Sequence, residues 1–366
     1  MKFDNIDAFV EKFGGLTEEY KFYNDEVTLR YDPKAHVYLL VTPDGLIKQD
    51  GVTNICHILD KSNVLIPWAC KMMAQKLTHL VKEFYAPDGA TPVYVIPADK
   101  FMTAITESKS AHKDKLEDAG DVGHAAHGWI EKYINHLLNV TCDLDAAPYP
   151  QSLNEERAAN CVQAALAWIA NHNVRWIHTE KKIYSRDFGY AGTMDGLAYV
   201  DSCNDPNCCP LKFKDKLSVI DWKTSNYLYV EFLLQTAAYK QAYEEEYGTT
   251  IDDIWIVRLG KEDGEFQPWH VPDFLQHLGW VAFQDALSLT RSMRDIEESM
   301  DAIKDEKRAE KKAKEFAAKQ EALKLKCKYA DKYKGTRKPR CNNGNPCQAC
   351  LAKYAEVQSC KKVLDK

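Results

Sequence analysis

Between residues 175 and 271 apolar and polar positions alternate in short runs parted by turn residues, a period of two that predicts strands. The runs are Arg175–Ser185, Tyr190–Asp201, Ser218–Lys223, Ile254–Leu259 and Glu265–Val271. Arg186–Gly189 and Gly260–Gly264 read as turns. Nearer the N-terminus, Val27–Tyr31 and His36–Thr42 form two more strand-like runs around Asp32-Pro33. Elsewhere the period shifts to that of helices. Residues 97–139 form one helical region, and Ser152-Leu153-Asn154-Glu155 is a capping box opening a helix to about His172. Residues 230–247 form another. Thr53 reads as the N-cap of the helical pattern after Gly51, and residues 1–26 as a short helix with a polar lead-in. Pro272 opens a helix whose Phe274, Leu278, Val281, Phe283 and Leu287 are expected to pack on the sheet. An unbroken helix from 273 to 326 measures roughly 80 Å at about 1.5 Å per residue, so a break or a projecting arm is expected. The pattern divides the chain into a β-hairpin and helical segment (1–95), a mixed α/β core (96–296) and a charged helix with a Cys-rich tail (297–366).

The run Ser218–Lys223 carries chemistry. Ser218, Ile220 and Trp222 leave one face, and Val219, Asp221 and Lys223 the other. Asp221 and Lys223 therefore share a face, about 7 Å apart along the strand. A surface ion pair is the plain reading, but an awkward one for a strand this apolar. Asp195, between Gly192 and Gly196, lies in the preceding strand-like run. If the two strands pair, Asp195 and Asp221 converge on one hard cation with Lys223 beside it. Phosphodiester hydrolysis asks for such a set: Mg²⁺ or Mn²⁺ on carboxylates as Lewis acid, and an ammonium to orient water or offset developing charge.

The ordered set Asp195 in GTMDG, Asp221-Trp222-Lys223, and Gln235 and Tyr239 on the next helix resembles the PD-(D/E)XK nuclease superfamily. Within it, RecB-like and phage-type recombination exonucleases are the most similar. The resemblance covers about residues 27–270. It implies a restriction-endonuclease-like core: a mixed β-sheet flanked by helices. It makes Asp195 and Asp221 ligands of Mg²⁺ or Mn²⁺, joined by the Trp222 carbonyl. Lys223 becomes the catalytic lysine, and Gln235 and Tyr239 active-site or DNA-contacting residues. In the helical region, Gly123, His127 and Glu131 recur at intervals of four and share a face. They resemble the superfamily's first motif, in which the histidine is a further metal ligand; Glu131 would hold a metal-bound water or touch DNA. Without the resemblance, His127 reads as a structural helix residue. His124 fits a shifted register without a following glutamate. A glutamate on the first strand sometimes joins the metal shell in this superfamily, which makes Glu180 a further candidate against the reading of a water-facing edge residue. The implied activity is exonucleolytic cleavage of DNA in recombination or repair; a phage origin and work beside a single-strand annealing protein go with the phage-type members of the resemblance. A catalytically silent nucleic-acid-binding scaffold and a structure-selective endonuclease are the alternatives.

Charge adds to this picture. Residues 301–366 carry 19 Lys and Arg against 9 Asp and Glu, a net of +10, and the other 300 residues a net of −16. An acidic body concentrates metal ions and a basic tail suits a polyanion, although residues 304–326 also read as a solvated helix. No apolar run approaches the ~18 residues of a membrane helix, and the N-terminus shows no secretory pattern, so a reducing cytoplasm is expected.

In that compartment the twelve cysteines are expected to be reduced or metal-bound. Cys347-x-x-Cys350 has knuckle spacing, with Cys341 and Cys327 upstream. These four read as a Zn²⁺ site, with Cys203 and Cys208 as alternative ligands; the resemblance implies an iron–sulfur site (4Fe-4S) as a second choice, and a metal-free tail is the plain reading. Cys203, Cys208 and Cys209 lie in an insert between the two acidic strands that is expected to protrude as a loop.

Overall fold

A computed structural model of the chain describes residues 2–3, 17–59, 61–85, 89, 92–97, 100–138 and 156–326. The chain divides into two units, residues 1–290 and 291–366. The capping box at 152–155 and the four tail cysteines Cys327, Cys341, Cys347 and Cys350 lie outside the described residues.

In the first unit, β1 (Lys2–Phe3), β2 (Glu18–Phe22), β3 (Val27–Asp32), β4 (Val37–Thr42) and β5 (Gly45–Lys48) make an antiparallel sheet ordered β1-β5-β4-β3-β2. Residues 18–22 of the expected lead-in form a strand, β2, while residues 4–16 of the span read as a short helix lie outside the described residues. The alternation of β2 sets Phe22 against Tyr184, ring centroids 6.1 Å apart, and Tyr23, Asn24 and Asp25, all at positive φ, turn the chain into β3. The short strand β6 (Asp50–Gly51) runs into α1 (Val52–Cys56). The N-cap is Gly51 and makes no side-chain cap bond, so Thr53 is a helical residue rather than the cap.

Helix α2 (Ser62–Leu80), the hairpin β7 (Lys82–Tyr85) with β8 (Pro92–Val95), α3 (Phe101–Leu137) and α4 (Glu156–Asn171) follow. Next come β9 (Arg175–Ser185), β10 (Tyr190–Val200), β11 (Lys216–Lys223), α5 (Val230–Tyr247), β12 (Asp253–Leu259), β13 (Phe266–His270) and α6 (Asp273–Lys326).

The central sheet is ordered β13-β12-β11-β10-β6, with β9 also paired to β10. It is mixed: β10–β11 is antiparallel, and β11–β12 is parallel across the α5 crossover. Helices cover both faces. Val52, Leu234, Ala238 and Phe283 pack with Val219 and Ile254 on one side. Ala126, Ile130, Ile134 and Trp168 pack with Ile220, Trp222 and Trp255 on the other. The alternation predicted for β11 is therefore realised. The stripe Ala126, Ile130, Ile134, spaced by four, seats α3 on the sheet. Truncating fully buried Trp222 to Ala would cost about 3–5 kcal/mol.

Of the break or projecting arm expected in α6, the break is absent: the helix runs over 54 residues. The expected apolar stripe is corrected: the buried one is Gln276, Phe283, Ala286 and Leu287, whereas Phe274, Leu278 and Val281 are exposed. Gly279 explains the register: a Cβ there would meet the Leu233 carbonyl oxygen at 2.9 Å, so the helix approaches α5 on that side.

Candidate functional site

The β10–β11 ladder ends at the pair Gly196↔Ile220. One residue further on each strand stand Asp195 and Asp221. There the Asp195 carboxylate takes over the missing ladder bond: its Oδ2 accepts the Trp222 backbone N–H at 2.9 Å. On the opposite edge of β10, Thr179↔Gly196 and Lys181↔Met194 pair, which leaves Glu180 beside Asp195. Glu180 has φ 47°, a left-handed conformation inside a strand, which costs a non-glycine residue about 1–2 kcal/mol. Three adjacent strands therefore each bring one carboxylate to the same level of the sheet.

Helix α3 closes this group. His127 Nδ1 lies 3.8 Å from Asp195 Oδ2. One ligand atom from each of His127, Glu180 and Asp195 falls within 4.8 Å of the others. Asp221, almost fully buried, pairs with Lys223, Nζ to Oδ2 2.7 Å. The Lys223 ammonium also lies 4.8 Å over the Phe232 ring. Close approach of α3 needs a small residue: a Cβ on Gly123 would meet Thr224 Oγ1 at 3.0 Å.

These groups line a cleft of about 780 Å³. His127, Glu131, Asp195, Asp221, Lys223, Gln235 and Tyr239 all lie on its wall, and so do His124 and Glu180. Sequence reasoning missed Lys182, Thr193, Tyr31 and Tyr38, which also line it. The last two come from the N-terminal sheet, where Tyr38 OH and Thr193 Oγ1 share a 2.7 Å hydrogen bond. No spacing in the sequence signals that contact. Trp222 is not on the wall: its backbone N–H binds Asp195, and its indole is buried on the other face of the sheet.

Burial pushes the Asp195 and Asp221 carboxyls up; the Lys223 ammonium works against this for both, and the Trp222 N–H also does so for Asp195. Burial, then the nearby Asp195 carboxylate, push Glu180 up as well. For Lys223 burial disfavours the charge, but Asp221 and then Asp195 outweigh it, and its pKa ends above the usual lysine value. Burial and then Lys223 pull His127 down to about 4. At neutral pH the imidazole is therefore uncharged, the form that binds metal. Ionised, the four carboxylates on the wall (Glu131, Glu180, Asp195, Asp221) exceed the two ammoniums (Lys182, Lys223) by two charges. A divalent cation would balance that excess.

A second group sits at the far end of the same two strands. His172, Cys203, Cys208 and Cys209 each present a ligand atom within 4.8 Å of the rest, a set that can hold a metal such as zinc. The insert is a largely exposed loop, as expected, but its Cys203 and Cys209 are buried beside His172 and Trp255. The alternative ligands Cys203 and Cys208 find their partners locally, in adjacent Cys209 and in His172, 31 residues before Cys203 at the end of α4. A histidine that far from the cysteines, with no motif of its own, gave no signal.

Among the described residues no helix is long and apolar enough to cross a membrane. No family model matches this chain, and no curated protein matches it significantly.

Proposed function

We propose that this chain is a Mg²⁺- or Mn²⁺-dependent deoxyribonuclease with a PD-(D/E)XK core, acting as a RecB-like or phage-type exonuclease in DNA recombination or repair. The observation that carries the reading is the convergence of His127, Glu180 and Asp195 within 4.8 Å of one another, with Asp221 on the wall of the same cleft and bound to Lys223. Asp195, Asp221 and His127 would hold the ion, with Glu180 beside them. The ion, when bound, supplies Lewis-acid polarisation and a bound water of lowered pKa.

The chain's own residues supply the rest. Lys223 is an ammonium in this arrangement, which suits it to offset charge building on a phosphate in the transition state. Asp221 fixes the Lys223 amine by direct contact, and Phe232 packs beneath it. Gln235 and Tyr239 form the inner wall on α5, and Glu131 lies one turn along α3 from His127. A Cβ on Gly192 would meet the Tyr239 ring at 2.9 Å, so the glycine keeps that wall against β10. The basic segment after residue 300 suits a polyanionic substrate. A single-strand annealing protein is the partner this reading favours.

A time course on end-labelled single- and double-stranded linear DNA and on circular DNA, with Mg²⁺ and with Mn²⁺, tests the proposal. Metal-dependent loss of linear DNA with circles intact is expected. Nicking of circles or cleavage at branches would make the enzyme a structure-selective endonuclease. Binding without loss of any substrate would leave a nucleic-acid-binding scaffold.

A further inference from the structure

We propose that His172, Cys203, Cys208 and Cys209 bind one Zn²⁺ in a closed tetrahedral site that staples the β10–β11 connection to the end of α4. The Cys203 and Cys209 sulfurs are 3.5 Å apart, and those of Cys208 and Cys209 3.9 Å apart. His172 Nε2 lies 3.4 Å from Cys208 Sγ and 3.7 Å from Cys209 Sγ. A tetrahedral zinc ion with Zn–S bonds of about 2.3 Å and Zn–N bonds of about 2.0 Å spaces its sulfurs by roughly 3.8 Å, and sulfur from nitrogen by roughly 3.5 Å. Those four edges lie within about 0.3 Å of these spacings, and the remaining two are under 4.8 Å. Disulfide bonding would need two sulfurs at about 2.05 Å. Four ligand atoms this close enclose a single ion rather than a multi-iron cluster.

The surroundings fit the same ion. His172 Nδ1 hydrogen-bonds the Trp168 carbonyl oxygen at 2.9 Å. That contact places the ring proton on Nδ1 and turns the Nε2 lone pair toward the sulfurs, the outer support that metal-bound imidazoles usually have. The ring is fully buried, stacked on Trp168 at 4.7 Å. The Cys203 backbone N–H donates to Cys209 Sγ at 3.3 Å. Four protein ligands leave no open position, which marks a structural site rather than a catalytic one. On binding, three S–H bonds release their protons to solvent, three Zn–S bonds and one Zn–N bond form, and nothing is oxidised or reduced. Three thiolates and one Zn²⁺ sum to −1, and Lys212, donating to the Cys203 carbonyl, stands beside that charge.

The consequence is mechanical. Residues 201–215 connect the strands that carry Asp195 and Asp221. A metal staple there holds both strands at the end opposite the cleft. The site stands on its own ligands, whatever reaction the cleft performs.

The test uses the full-length chain with Cys327, Cys341, Cys347 and Cys350 replaced by serine, purified without chelator from zinc-supplemented cells. About one zinc per chain is expected. X-ray absorption should fit three sulfurs at about 2.3 Å and one nitrogen at about 2.0 Å. Adding C208S/C209S should release the zinc. Zinc-free parent protein, a shell of light atoms only, or zinc retained by C208S/C209S would overturn the proposal. If C208S/C209S does not fold, the absorption spectrum of the parent decides alone.

Discussion

Asp195 takes the Trp222 backbone N–H at 2.9 Å just where the β10–β11 ladder stops. One carboxylate therefore both ends the sheet and faces the cleft. D195N and D195A separate these jobs. Asparagine keeps an oxygen acceptor for that N–H but loses the charge. D195N should melt within a degree or two of wild type while metal-dependent DNA cleavage falls about 10²–10³-fold. D195A should lose the activity and also about 1 kcal/mol of stability. Matched melting curves and cleavage rates check both.

The buried pair of Asp221 and Lys223 makes a second prediction. Removing one partner strands the other's charge, so K223M should destabilise the fold by about 3 kcal/mol. The double variant D221N/K223M removes both charges and should recover most of that loss, a coupling that urea titrations of wild type, D221N, K223M and the double variant would measure. Cleavage should be absent from every variant. Equal destabilisation by K223M and by the double variant would mean that the pair is not coupled.

Glu180 sits at φ 47°. A residue held in that conformation inside a strand gains backbone freedom as glycine and loses its carboxylate. E180G is expected to be as stable as wild type or up to about 1 kcal/mol more stable, although it truncates a partly buried side chain. Mn²⁺ affinity, read by calorimetry, should fall in both E180G and E180Q. A destabilised E180G with unchanged Mn²⁺ affinity would make the glutamate a structural residue.

Much of the cleft is legible in the sequence because its residues lie at local spacings. Asp221 and Lys223 follow from a period of two, and Gly123, His127 and Glu131 from a period near four. Glu180 was harder. Its neighbours alternate regularly, and only the left-handed backbone at its own position and the pairing with β10 put it beside Asp195. The α6 stripe was misjudged because both Phe274–Leu278 and Phe283–Leu287 look apolar, while a packed glycine, Gly279, sets which side is buried. The Cys203, Cys208 and Cys209 cluster needed His172, whose place depends on where α4 ends against the sheet. Such long-range partners leave no mark on local periodicity.

Acid should loosen the base of the insert before it unfolds the sheet. Burial works against the Asp201 charge, but the Asp215 backbone N–H, Asn173 and Arg175 outweigh it and hold the carboxyl at about 2. An unfolded aspartate titrates at about 3.9. Because the folded value is depressed, the stabilisation is complete above about pH 4 and is lost as pH falls toward about 2. Wild type should exceed D201N in stability at pH 6, and the gap should close across that window in acid-unfolding curves. A gap that stays constant down to pH 2 would contradict the assignment.

The account stands or falls on whether four side chains from three strands and one helix surround one divalent cation. An anomalous difference map from crystals grown with saturating Mn²⁺ measures that directly. The predicted result is a peak within coordination distance of Asp195, Asp221 and His127, beside Glu180, that disappears in D195N. No peak in the cleft, or a peak bound elsewhere with these side chains unengaged, would contradict it.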